Sequence, residues 1–153
     1  MRRSLRLPLF VIAAVVLLSA TGGLWAQESG NRHGLAVFLG DTYDDGDHGF
    51  TLGLDYEYRL SKWVGLGGMV DFVGSGDREY VVGIPVFLHA TKRLTFELAA
   101  GMERADGGSN ALVRLGAMYG IPLGPVDLVP AFMLDFVDSD TVYVFGVAFS
   151  WDF

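Results

Sequence analysis

Four carboxylates within seven positions, Asp41, Asp44, Asp45 and Asp47, form the densest acidic group of the 153-residue sequence. Hard oxygen donors of this kind could hold Ca²⁺ or Mg²⁺, but the glycine and distal glutamate of an EF-hand loop are missing from their places. A run of like charge is more often a solvated loop. His48, with Ser75 and Asp77, supplies the residue types of a base, a nucleophile and an acid, although only a shown geometry would give them those roles. A second set of charges, Asp55, Glu57, Arg59, Asp71, Glu97, Glu103, Arg114 and Asp135, is dispersed among small residues. Mixed signs in that setting suit internal hydrogen-bonded ion pairs, because buried charge must be paired. An ion or proton path and a small-ligand site are the other uses of such a set. Cysteine is absent, which excludes disulfides, thiolate metal sites and a cysteine nucleophile. No cofactor is called for.

The elements that carry these residues are strands. After Arg32 apolar residues alternate with polar or small ones, and almost nothing repeats at helical spacing. Phe50, Leu52, Leu54, Tyr56 and Tyr58 share one face, with Thr51, Gly53, Asp55, Glu57 and Arg59 on the other. The apolar stripe recurs at Leu35, Val37, Leu39; Val64, Leu66, Val70, Phe72; Tyr80, Val82, Ile84, Val86, Leu88; and Leu94, Phe96, Leu98, Met102. It continues at Val113, Leu115, Tyr119; Val126, Leu128, Phe132, Leu134, Phe136; and Tyr143, Phe145, Val147, Phe149, Trp151, Phe153. That predicts eight strands in an all-β, antiparallel, up-and-down barrel.

Polar, acidic connections (Asp41 to Gly49, Gly74 to Glu79, Ala105 to Asn110, Asp138 to Thr141) alternate with short turns near Ser61, Lys62, Thr91, Lys92, Arg93 and Gly124. Two rims are implied, a loop rim and a turn rim, as in bacterial outer-membrane barrels. The second face of the strands decides which way the apolar stripe points. Gly53, Gly65, Gly67, Gly83, Ala99, Gly101, Gly116, Gly146 and Ala148 would make a poor water-facing surface but would fit the narrow lumen that eight strands enclose. Lipid outside and polar filling inside is therefore the expectation, making the barrel transmembrane. Aromatic residues near the stripe ends, Phe50, Phe72, Tyr80, Phe136 and Tyr143 at one rim and Tyr58, Tyr119, Trp151 and Phe153 at the other, suit headgroup belts. Pro85 and Pro130 each remove a ladder donor within a predicted strand, which predicts a bulge or shifted boundary at both.

Residues 1–26 have the plan of a cleavable signal peptide, with Arg2, Arg3 and Arg6 before an apolar run from Leu7 to Ala20 and a cut expected after Ala26. The barrel domain is then 27–153. Removal of the signal would take three of 11 basic residues and none of the 18 acidic ones, leaving eight against 18 and a net charge of −10. That balance, with no basic patch, argues against nucleic acid as a partner.

The closing stretch, Tyr143, Phe145, Phe149, Trp151 and terminal Phe153 at alternate positions, resembles the last strand of the eight-stranded outer-membrane β-barrel family, the OmpA transmembrane domain and OmpX type. Gly83-Ile84-Pro85-Val86 and Leu60-Ser61-Lys62 are also similar to recurring pieces of these proteins, and the resemblance runs from about Leu35 to Phe153. Gly146 stands two places before the usual glycine, whose position holds Ala148. The resemblance implies a monomeric barrel in a Gram-negative outer membrane, with lipid and lipopolysaccharide around it and the barrel-assembly machinery reading its last strand. It does not imply one activity. Two enzyme families share this fold. The His and Ser two places apart of lipid A deacylases are not matched, since His33, His48 and His89 are followed at that spacing by Leu35, Phe50 and Thr91. Palmitoyltransferase barrels carry an adjacent Asp-Ser pair, which Ser75 and Asp77 do not form. The leading expectation is a non-enzymatic structural or interaction protein with a polar, plugged lumen and short acidic loops. The alternatives are a narrow or gated pore and a lipid A-modifying enzyme.

Overall fold

The computed structural model describes residues 30–153 except 75–77 and 106–107. The signal segment 1–26 and the pair Ser75 and Asp77 lie outside the described residues. Nine strands follow one another: β1 (His33–Asp44), β2 (Asp47–Arg59), β3 (Val64–Gly74), β4 (Arg78–His89), β5 (Leu94–Ala105), β6 (Gly108–Tyr119), the two-residue β7 (Ile121–Pro122), β8 (Asp127–Val137) and β9 (Asp140–Asp152). Sequential neighbours pair antiparallel from β1 through β6, β9 pairs with both β1 and β8, and β8 returns to β6, so the sheet has no free edge. Met118 faces Ala131 and Ile121 faces Leu128 in one unbroken frame, which makes β7 the continuation of β6. The result is a closed eight-stranded up-and-down barrel. Closure removes the exposed backbone groups that neither lipid nor an edge strand could satisfy.

Turn chemistry sets the hairpins. Asp45 and Gly46 both have positive φ, 42° and 100°, which is the backbone of a type I′ hairpin turn and accounts for an Asp-Gly at this place. Asp44 and Asp47 are the residues that this turn places opposite each other. On the other rim, Ser61 Oγ accepts from the backbone N–H groups of Trp63 and Val64, and Thr91 Oγ1 accepts from those of Arg93 and Leu94. The two turns are built alike.

The apolar stripe points outward. Phe50, Leu52, Leu54, Phe72, Ile84, Phe96, Leu115, Phe132 and Phe145 are all exposed, while their strand neighbours Thr51, Asp71, Val81, Glu97, Arg114 and Ala131 are buried. Period-2 alternation carries this directly from sequence to face.

Two expectations are corrected. Neither proline produces a bulge. Leu66 faces Val86 and Met69 faces Gly83 in the same frame on either side of Pro85, and the β8–β9 register runs through Pro130 unchanged. Each proline keeps its pairing on the side where no N–H is needed, Pro85 with Ala99 and Pro130 with Val147, and interrupts the ladder on the other side. The gap between β6 and β7 lies opposite Pro130 for this reason. The lumen is also less polar than small residues and charges alone suggest. Phe38, Met133, Val142 and Val144 form one buried apolar cluster with Ala131 and Ala148, and Met69, Val81, Ala99, Leu112 and Val137 form another. These residues stand off the apolar stripe and fill the bore.

Gly146 has a structural reason for its place. It faces Gly40 across the β1–β9 pair, and the ring of inward-facing Phe38 lies over both glycines. A Cβ on Gly146 would run into the backbone oxygen of Leu39 and come within 2.8 Å of the Phe38 ring. Aromatic cover of facing glycines is a device that bends a sheet and pins its register. Gly146→Ala is expected to cost about 1–3 kcal/mol through overpacking, read as a lower urea midpoint in lipid vesicles. An unchanged midpoint would remove Phe38 and its glycine bed from the account of closure.

Candidate functional site

The interior charges read from the sequence come from five strands, and all but Glu103 fall into two groups. In the centre, β6 places Arg114 opposite Asp135 of β8. The pair is bidentate, with Arg114 Nε donating to Asp135 Oδ1 at 2.6 Å and Nη2 to Oδ2 at 2.7 Å, and Arg114 Nη1 reaches Asp71 Oδ2 of β3 at 2.6 Å. All three residues are 2–3% exposed. This is the fork geometry that suits a guanidinium and not an ammonium. Asp55 and Glu97 lie within electrostatic reach of Arg114, but Asp55 Oδ1 and Glu97 Oε1 have no hydrogen-bond partner. One guanidinium thus serves four carboxylates. Glycines opposite the acids give them room: Gly53 faces Asp71, and Gly116 faces Glu97.

Toward the turn rim, Glu57 Oε1 and His89 Nε2 are 2.6 Å apart, and Thr95 Oγ1 is 3.0 Å from His89 Nδ1. Arg59 reaches Asp152 at 3.1 Å and lies 3.8 Å from Glu57. His89, Thr95 and Asp152 belong to this group and are absent from the interior charges read from the sequence. Their parity within β4, β5 and β9 points them inward, and that was the available signal. Glu103 joins neither group; it lines a space of about 20 Å³ at the loop end, with Asp44, Glu79 and Arg114 also on its walls. A larger cavity of about 110 Å³ lies on the turn side, between Asp55 and Phe38 in depth and Arg59, Lys92 and Arg93 at the mouth.

The acidic group at the loop rim does not converge. Asp41 faces outward and its Oδ2 is 2.6 Å from His48 Nδ1, while Asp44, Asp45 and Asp47 belong to the hairpin turn. Among the described residues no set of three or more His, Asp and Glu side chains is placed to hold a metal ion. Burial first, and then the like charges of Asp140, Asp45 and Asp47, push the Asp44 carboxyl above the usual carboxylate range. His48 is mostly exposed and pairs with Asp41 and the Tyr43 ring, with centroids 4.9 Å apart.

At the end of β9, Phe153 exchanges backbone hydrogen bonds with His33, at 2.8 and 3.0 Å, and stacks on its ring at 5.6 Å. The terminal strand is thereby registered to its end on the first one. Trp63 and Leu123, both exposed, add to the apolar rim there.

The closed eight-stranded ring matches solved barrels. The chain aligns with Ail, the attachment invasion locus protein of Yersinia pestis, at a TM-score of 0.57 and 12% identity, covering 83% of this chain and all of that one. Neisserial surface protein A aligns at 0.59 and 13%, covering 82% and 100%. The N-terminal barrel domain of Pseudomonas aeruginosa OprF aligns at 0.56 and 12%, covering 82% and 100%. The chain has the fold of the eight-stranded outer-membrane barrels. A designed transmembrane β-barrel is similar at 0.56 and 19%, over 76% of this chain and 94% of that one. No protein-family model matches the sequence, and no curated protein does. The match to a designed barrel fits a fold defined by closure, alternation and bend-forming glycines, which very different sequences satisfy.

Proposed function

We propose that the protein serves as a small, non-enzymatic, monomeric barrel of the outer membrane, closed by its own side chains and acting through its lipid contacts and short acidic loops. The carrying observation is the layer of Arg114, Asp71 and Asp135, 2–3% exposed and ion-paired across the bore, with two buried apolar clusters also in the lumen. Lipopolysaccharide around the loop rim and the assembly machinery at the terminal strand are the partners this reading includes. Ail has been solved with the heparin analogue sucrose octasulfate. A polyanion of that kind does not suit this chain, whose loop rim carries Asp41, Asp44, Asp45, Asp47, Glu79, Glu103, Asp138 and Asp140 against Arg78 and Arg104. A lipid A-modifying activity has no support from His48, whose ring is taken up by Asp41.

One observation favours a gated pore as the second reading: cavities of about 110 and 20 Å³ end on either side of the central charged layer. Planar-bilayer recording separates the two. The plugged reading expects no resolvable channels from the purified barrel at any voltage. Voltage-dependent steps that disappear in a variant unable to move the Arg114 side chain would replace it with the pore.

A further inference from the structure

The cavity on the turn side has a volume of about 110 Å³. It has room for several waters, or for a chain of roughly four to six carbons in their place. Its ends differ in chemistry. At the floor, Asp55 Oδ1 is a buried acceptor with no partner. Asp71 and Glu97 stand behind it, and Arg114, already held by Asp71 and Asp135, is the only cation at that depth among the described residues. The floor therefore asks for a cationic donor. The middle of the wall is apolar, with Phe38, Phe87, Met118 and Met133 facing the space.

The mouth carries charges of both signs, Arg59, Lys92 and Arg93 with Glu57, Asp127 and Asp152. Arg59 and His89 are occupied by Asp152 and Glu57. Lys92 and Arg93, adjacent on the turn between β4 and β5, are exposed at the cavity entrance and, unlike Arg59 and Asp152, make no ion pair among the described residues. An unpaired acceptor at the bottom, an apolar sleeve and two free cations at the opening define a ligand by its chemistry.

We infer that this vestibule binds a small linear zwitterion, an ω-amino carboxylate, with its ammonium on Asp55 and its carboxylate between Lys92 and Arg93. The methylene chain lies along Phe38, Phe87 and Met133. Binding in the vestibule is separate from the barrel's role in the membrane and does not require the central layer to open. Such a ligand enters from the side of the short turns.

The test uses the full barrel in lipid nanodiscs, titrated with γ-aminobutyrate, δ-aminovalerate and ε-aminocaproate, and with pentanoate and pentylamine as one-ended controls. Binding is followed by amide chemical-shift changes of cavity residues. The expected result is saturable shifts for at least one zwitterion, with each control weaker by roughly tenfold or more, as loss of a charged hydrogen bond implies. Asp55→Asn and the double variant Lys92→Gln, Arg93→Gln each weaken the zwitterion by a similar factor. The double variant lies on an exposed turn and keeps the test decisive if Asp55→Asn does not fold. No saturable shift with any zwitterion would mean that the cavity holds only water and would overturn the inference. Equal binding of pentanoate and the zwitterions would overturn it too, because the floor would then contribute nothing. A heat-modifiable, folded barrel in the same samples shows that the membrane fold itself is not what failed.

Discussion

Arg114→Met is expected to destabilise the folded barrel by about 3–5 kcal/mol or to prevent folding altogether, because removing one partner of a buried ion group leaves its charges uncompensated. The size follows from the count around the guanidinium. Asp135 takes two hydrogen bonds from it and Asp71 a third contact, while Asp55 and Glu97 stand near with unpartnered oxygens. Without Arg114, four carboxylates share the centre of the bore with no cation among the described residues. Urea unfolding in lipid vesicles, read by heat-modifiable gel migration, measures the effect. Arg114→Lys restores charge but not the bidentate fork, so its midpoint is expected to fall between those of the wild type and Arg114→Met. A midpoint unchanged in Arg114→Met would show that the central layer is not a stabilising network.

Leu54→Arg is the second large effect, at about 2–4 kcal/mol for a cation near the bilayer midplane. Leu54 is 43% exposed on the outer face of β2, with Val37 and Val70 as its cross-strand partners, in the middle of the apolar band. Phe50→Arg, four residues nearer the loop rim on the same stripe, is expected to cost about 0–1 kcal/mol, since the penalty falls toward the interface. This depth dependence separates lipid from a protein core, where both positions would be costly. Equal costs at the two sites would overturn the orientation of the band.

The alternation of Phe50, Leu52, Leu54 and Tyr56 against Thr51, Gly53 and Asp55 determined, without any coordinates, that these residues face opposite sides of a strand, because a strand's side-chain period is two. The same reasoning, with glycines and scattered charges on the second face, determined that the apolar side looks outward. It also placed Asp71, Glu97, Arg114 and Asp135 in the lumen. It did not recognise His89, Thr95 and Asp152 as lumen groups, although their parity carries that information. It misjudged Pro85 and Pro130, because a missing donor disturbs one ladder only and a closed sheet has a second one to hold the register.

Which charges meet was decided only by the tertiary structure. Arg114 finds Asp135 because β8 turns back onto β6, and finds Asp71 because closure brings β3 across the bore. Pairing register between distant strands depends on how the whole ring closes, and no local spacing encodes it. The placement of Phe38 over Gly40 and Gly146, and the split of the interior into a sealed centre and an open vestibule, arise in the same way. Local pattern set the face of every residue; closure of the barrel set its partner.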